Sequence, residues 1–156
     1  MGGVERIEDY LQPLRKTIMV RRTPAEAFEV FTARFGAWWP RDRFSLHQAD
    51  SASCGIESRA GGEVFEIAAD GRREVWGTVI AWEPPHRFCM TWHPGRAPDT
   101  AQEVELRFVA VPEGTRVELE HRGWAKLGAE AASSREAYEN GWAVVFDRCY
   151  AEACEP

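Results

Sequence analysis

The run from Ser133 to Glu152, SSREAYENGWAVVFDRCYAE, constrains this chain more than any other stretch. Tyr138, Trp142, Val145, Phe146 and Cys149 recur at three- and four-residue steps, which stacks them along one side of an α-helix. Glu136, Glu139, Asn140, Asp147 and Arg148 fall largely on the other side, and Ser133 followed by Glu136 fits a capping box at the start. No other segment offers so long an apolar stripe, while almost everything between Cys54 and Trp124 reads as strand. One long helix against many strands predicts a sheet curled around that helix.

Residues 15–21 alternate and read as a first strand, stopped by Thr23-Pro24-Ala25-Glu26, a capping box with Pro at the first helical position. The helix that follows carries Ala27, Phe28, Phe31 and Phe35 on one face and is expected to end near Gly36. Trp38-Trp39-Pro40 comes next, as a cavity mouth or a buried aromatic hinge. A polar stretch to Ser53 then holds Phe44, Leu46 and His47, the pattern of a rim or lid. From Cys54 the period changes to two, with strands expected at 56–59, 63–68, 73–82, 87–93, 103–111 and 115–122. Gly61-Gly62, Asp70-Gly71, Pro84-Pro85 and Pro112-Glu113-Gly114 mark the turns. Val104, Leu106 and Phe108 share one face against Glu103, Glu105 and Arg107 on the other, as in an antiparallel sheet with one sheltered face. Consecutive hairpins make a meander, so the fold class is α+β: about seven antiparallel strands and a long C-terminal helix. The chain reads as one domain, 1–156, with its core at about 15–152.

A hydrophobic content of 44% with 28% charged residues is ordinary globular composition, and 156 residues can bury a core without disulfides or metal. Seven Trp and eight Phe supply large flat surfaces for a core or a cavity wall. A net charge of −6 gives no basic footprint for nucleic acid or anionic membrane. The charged N-terminus and the lack of any long apolar run predict a cytoplasmic location, with Cys54, Cys89, Cys149 and Cys154 reduced. Their spacings match no zinc or redox motif. Cys89 and His93 share a strand face but have no evident third ligand, so neither metal nor cofactor is expected.

WWP near position 40, the Gly61-Gly62 turn, REVWGTVIAWEPP, FCMTW, EVELRFVAV, TRVELEHRGW and the late GW together resemble one family. It is the bacterial branch of the START-like (SRPBCC) superfamily that is similar to the activator of the heat-shock protein 90 ATPase, and the resemblance runs from about Arg15 to Cys149. It implies the helix-grip fold of the birch-pollen allergen group, in which a curved sheet grips a C-terminal helix over an apolar cavity. It also implies a range of functions: hydrophobic-ligand carriers, polyketide cyclases and eukaryotic co-chaperones. Those co-chaperones carry an additional N-terminal domain that binds the chaperone, for which this chain has no room.

No hydrolytic or nucleotide-binding motif is present, and no catalytic residue is assigned. Three functions are weighed. The first is a non-catalytic binder of a small lipid-like or aromatic molecule. The second is a cavity enzyme of the polyketide cyclase or hydratase kind, with His121 as acid/base. The third is a co-chaperone-like interaction module. A small apolar molecule is the expected partner and a homodimer is left open, with no nucleic acid and no membrane insertion.

The cavity is expected between Trp142 and the sheet, because one helix rarely fills so large a concave face. Its expected lining is Trp38, Phe65, Trp76, Thr78, Ile80, Met90, Trp92, Leu106, Phe108, Leu119, His121, Tyr138, Trp142 and Phe146. Strand 73–82 is nearly apolar on both faces, and its larger set, Trp76, Thr78, Ile80 and Trp82, is taken as the inner one, although Gly77 would give room on the other. His121 points inward by parity, either as a pocket group or as a core histidine satisfied by a polar neighbour. Gly141 in mid-helix allows a bend, a close approach or space for a ligand.

Overall fold

The computed structural model describes residues 11–156. Seven antiparallel strands form one sheet in the order β1-β7-β6-β5-β4-β3-β2: β1 Leu14–Val20, β2 Ser51–Ile56, β3 Glu63–Ala68, β4 Arg73–Glu83, β5 Arg87–Trp92, β6 Gln102–Val111 and β7 Gly114–Arg122. Strands β2 to β7 are a meander, and β1 closes against β7 with Ile18 opposite Val117. The expected bounds hold closely except at β2, which begins five residues earlier and ends at Ile56. The residues expected in it beyond that point turn into β3, with Glu57 N–H bonded to Glu63 O.

Helix α1 (Pro24–Phe31) starts on the expected capping box: Thr23 Oγ1 accepts from Glu26 N–H, and Glu26 returns the bond to Thr23 N–H. It stops at Phe31, and two short helices follow, α2 (Phe35–Trp38) and α3 (Arg41–Phe44). Their rings occupy space that one C-terminal helix would have left empty. Phe28 packs on Trp82, Phe88 and Phe108, and Phe31 on Phe88 and Tyr150.

The C-terminal helix, α4, runs from Ala131 to Ala153 and passes through a π-helical segment at Val145–Tyr150. Its start differs from expectation: Ser133 lies inside the helix and its hydroxyl donates back to Glu130 O, so no Ser133–Glu136 capping box forms. The wider π turn also changes the stripe. Tyr150, not Cys149, turns into the core, where it stacks on Phe146 and donates to Ala27 O (2.7 Å).

The sheet is regular at one end only. On β6 and β7, Val104, Leu106, Phe108, Val117, Leu119 and His121 all face inward and are buried. Outward, Glu105 is almost fully covered and is held by Arg87, Arg107 and Arg122. Burial pushes its carboxyl up, but the guanidinium groups outweigh that and hold it below the usual carboxylate range. On β4 the register shifts twice, opposite Val64/Phe65 and at Val79/Ala81. Inner side chains therefore recur at Trp76, Val79 and Trp82, a step of three.

Candidate functional site

A cavity of about 160 Å³ opens between α4 and the β3–β5 end of the sheet, lined by Trp39, Phe44, Trp76, Trp92, Pro94, Tyr138, Gly141, Trp142 and Val145. Four indoles make its walls, each 5.5–6.0 Å from its neighbours by ring centroid. Trp39 arrives from the end of α2, Trp76 from the first irregularity of β4, Trp92 from the last residue of β5, and Trp142 from α4. Phe44, at the end of α3, closes over Gly141: a Cβ there would come within 3.4 Å of its ring. That distance is ordinary van der Waals contact, so packing does not require glycine at this mid-helix position, where it costs roughly 1 kcal/mol relative to alanine, and the missing side chain leaves room beside the cavity.

The indole N–H groups are all committed. Trp39 Nε1 donates to Phe44 O (2.9 Å), Trp76 to Glu66 Oε1 (3.2 Å), Trp92 to Tyr138 Oη (3.1 Å) and Trp142 to His121 Nδ1 (3.1 Å). The walls therefore present carbon. Tyr138 Oη accepts from Trp92 but donates to no described residue, so its proton is free to point into the cavity. Burial raises its pKa against the opposing effect of the Trp92 N–H, which keeps the phenol protonated at neutral pH.

His121 lies beneath this layer, fully buried and stacked 4.1 Å from Trp124. Because Nδ1 accepts from Trp142, the ring proton sits on Nε2, 3.2 Å from Gln102 Oε1. The Gln102 amide is in turn oriented by its bond to Thr100 O. Burial pushes the His121 pKa down to about 3, so the ring is neutral and both nitrogens are occupied. It is the satisfied core histidine, and it has no nitrogen to offer a ligand.

The expected lining divides into three groups. Trp76, Trp92, Tyr138 and Trp142 line the cavity. Met90, Leu106, Phe108, Leu119, Phe146 and His121 face inward but lie in the packed core outside that lining, and Trp38 packs between Phe31 and Tyr150 with its N–H on Val30 O. Phe65, Thr78 and Ile80 are corrections. Phe65 is on the outer face under the Arg73 guanidinium, 3.9 Å from its ring centre. Thr78 pairs with Glu63 on that same face, and Ile80 occupies the second β4 irregularity with 49% of its surface exposed. Nor does Gly77 give room for a ligand, since a Cβ there would collide with the Thr91 carbonyl of the adjacent strand. Cys89 and His93 are engaged outside the cavity, Cys89 by the Arg122 guanidinium and His93 by Arg96 O.

The expected lining left out Phe44, Pro94, Val145 and, above all, Glu66, although Phe44 lay in the stretch read as a rim or lid and Val145 on the apolar stripe of the helix. Phe44 carried a signal as an apolar residue in a polar stretch. Glu66 carried none, because Phe65 and Ile67 made the opposite parity of β3 look like the inner one. The structure turns Val64, Glu66 and Ala68 inward. Glu66 accepts from the Leu46 and His47 N–H groups (2.8 and 3.0 Å) as well as from Trp76. Burial raises its pKa, but the Leu46 and His47 N–H groups, with the Ser51 hydroxyl and the His47 ring, more than offset it, and the carboxyl is held below its usual range.

Residues 21–151 match the family described as Activator of Hsp90 ATPase homolog 1-like protein, and the chain belongs to that family. Among solved structures it is similar to the anthrahydroquino-gamma-pyrone synthase Txn09, solved in complex with SUM: 32% identity, TM-score 0.64, 90% of this chain and 96% of that one. It also shares its fold with protein BH1534 of Bacillus halodurans (19% identity, TM-score 0.65, 93% and 98% of the two chains) and MLL2253 of Mesorhizobium loti (14%, 0.63, 89% and 94%). No curated protein matches the sequence. Among the described residues no helix is long and apolar enough to cross a membrane.

Proposed function

We propose that this protein binds a small, flat, largely apolar molecule carrying a carbonyl acceptor, held between the four indoles with its oxygen on the Tyr138 hydroxyl. The observation that carries the reading is the wall chemistry: four aromatic faces with every ring N–H committed, and one hydroxyl proton left over. The cavity, about 160 Å³, is close in size to the roughly 150 Å³ apolar cavity known to admit benzene. Flat aromatic walls favour a ring over an acyl chain, because offset or edge-on ring packing adds about 0.5–1.5 kcal/mol beyond area burial. The synthase Txn09, 32% identical, has a fused aromatic ring system in its name, which supports the same ligand class here.

The test is a titration with 1-tetralone, an aromatic ketone, read by tryptophan fluorescence and by the melting temperature, which should rise because only the folded state has the site. Gly141→Leu, which fills the mouth beside Phe44, should weaken binding at least about tenfold while leaving the fold intact. An affinity unchanged in Gly141→Leu removes the reading.

The likeness to a synthase also supports a second reading, an enzyme that activates a substrate carbonyl. In that case Tyr138 is the group that donates the proton, and His121 is not. Turnover of an aromatic polyketide abolished in Tyr138→Phe but kept in His121→Gln would establish it.

A further inference from the structure

Glu66 is a fully buried carboxylate that accepts from three neutral N–H groups, with the Ser51 hydroxyl and the His47 ring also near it, an arrangement that packing alone does not require. Those N–H groups come from two places. Trp76 belongs to the cavity wall. Leu46 and His47 belong to the segment that crosses the cavity mouth. That segment starts at Phe44, whose ring lies against Gly141 of α4, and continues to Leu46, whose side chain rests over Gly95, the residue after the lining Pro94. The same segment is tied again by Trp39 Nε1 on Phe44 O and by the His47 ring, whose Nε2 lies 3.2 Å from Glu74 Oε1. Two of these ties therefore lead back to indoles of the wall, one directly and one through Glu66.

We propose that Glu66 is the residue that sets the size limit of the cavity: its carboxylate holds residues 44–47 down across the mouth, and a ligand larger than the closed space enters only when that hold lets go. This inference rests on the ligand-binding reading above. The chemistry requires a carboxylate. Oε1 takes the Leu46 and Trp76 protons and Oε2 takes the His47 proton, so both oxygens act as acceptors. A glutamine has only one acceptor oxygen, and its amide N–H₂ would confront a backbone N–H. Glu66→Gln thus removes one of the ties with almost no change in size. A segment released in this way opens more often, which admits bulkier molecules faster without altering the walls they finally touch.

The experiment has two arms, run on the intact protein and on Glu66→Gln. Hydrogen exchange reads the hold without any ligand: the Leu46 and His47 amides should exchange at least about tenfold faster in the variant, while the amides of β6 and β7 keep their rates. Stopped-flow fluorescence then compares acetophenone, which has one ring, with 9-fluorenone, which has three. The association rate of 9-fluorenone should rise about tenfold in Glu66→Gln and that of acetophenone less than about twofold. Unchanged exchange at Leu46 and His47 overturns the proposal. So does faster exchange with an unchanged 9-fluorenone rate, which would leave Glu66 a merely structural clamp. If neither ketone binds either protein, the ligand-binding reading itself fails, and the size limit with it. Should Glu66→Gln not fold, Glu66→Asp keeps both oxygens but withdraws them by one methylene, and the same outcomes apply.

Discussion

The two ends of the sheet were built by different rules. At the β6–β7 end the strands alternate without interruption, the inward positions from Gln102 to Phe108 and from Thr115 to His121 are buried, and the helix and sheet meet over a sealed layer of Leu106, Phe108, Val117 and Leu119. At the β3–β4 end two register shifts space the inward side chains three apart, a carboxylate replaces an apolar residue on β3, and the cavity lies alongside. Regular pleating delivers side-chain volume at a steady density, and the helix covers it. Where the pleat is broken, fewer side chains arrive per length of strand, and space remains.

This contrast can be broken by mutation. The largest effect is expected at the sealed end: Leu106→Ala should cost about 2–5 kcal/mol in denaturant unfolding and leave 1-tetralone affinity unchanged, because the lost volume is outside the cavity. A loss of affinity as large as the loss of stability would show that the two ends are one compartment.

Beneath the indole layer, His121 should make the protein sensitive to acid. Its pKa is near 3 when folded and about 6.5 when unfolded, so below pH 6.5 the unfolded chain takes up a proton that the folded one refuses. Stability is then present above the unfolded pKa and falls with pH, by about 2 kcal/mol between pH 6.5 and pH 4.5. His121→Gln should flatten that slope; a slope of the same size in the variant would assign the proton elsewhere.

At the cavity, Tyr138→Phe removes one donor and no wall. Affinity for 9-fluorenone should drop about three- to tenfold, as for one hydrogen bond, and that for the hydrocarbon fluorene should not. Equal losses for both would mean that the hydroxyl never meets the ligand. The smallest effect belongs to Ile80, exposed at its irregularity: Ile80→Thr should change stability by less than about 0.5 kcal/mol and binding not at all.

The regular end was legible in the sequence and the irregular end was not, for the same reason. Alternation is informative where period two is kept, so the faces of β6 and β7 and the inward turn of His121 follow directly from residue parity. On β4 both faces are apolar, so hydrophobicity could not mark where the two shifts fall, and Thr78 and Ile80 were placed on the wrong side. On β3 the aromatic ring of Phe65 outweighed a carboxylate whose partners, the N–H groups of Leu46 and His47, lie about twenty residues away in the chain. The helix stripe failed only after Val145, where the π turn adds a residue to the repeat and brings Tyr150 into the place expected of Cys149. The family resemblance supplied the architecture and the existence of a cavity. It did not supply the cavity's position, which depends on packing among α1, α2 and the rings between them.

Packing the wall from indoles has an optical consequence. Trp39, Trp76, Trp92 and Trp142 lie within 6.0 Å of one another along an unbroken path, and Trp38 extends it, 5.8 Å from Trp39. At such separations an excited state hops between indoles many times before a photon leaves, so the group emits as a unit from whichever ring is lowest in energy. A single acceptor seated among them can drain the excitation of all five. The intrinsic emission of this protein should therefore respond to its first occupant out of proportion to the number of rings touched, and occupancy can be read from the unlabelled chain.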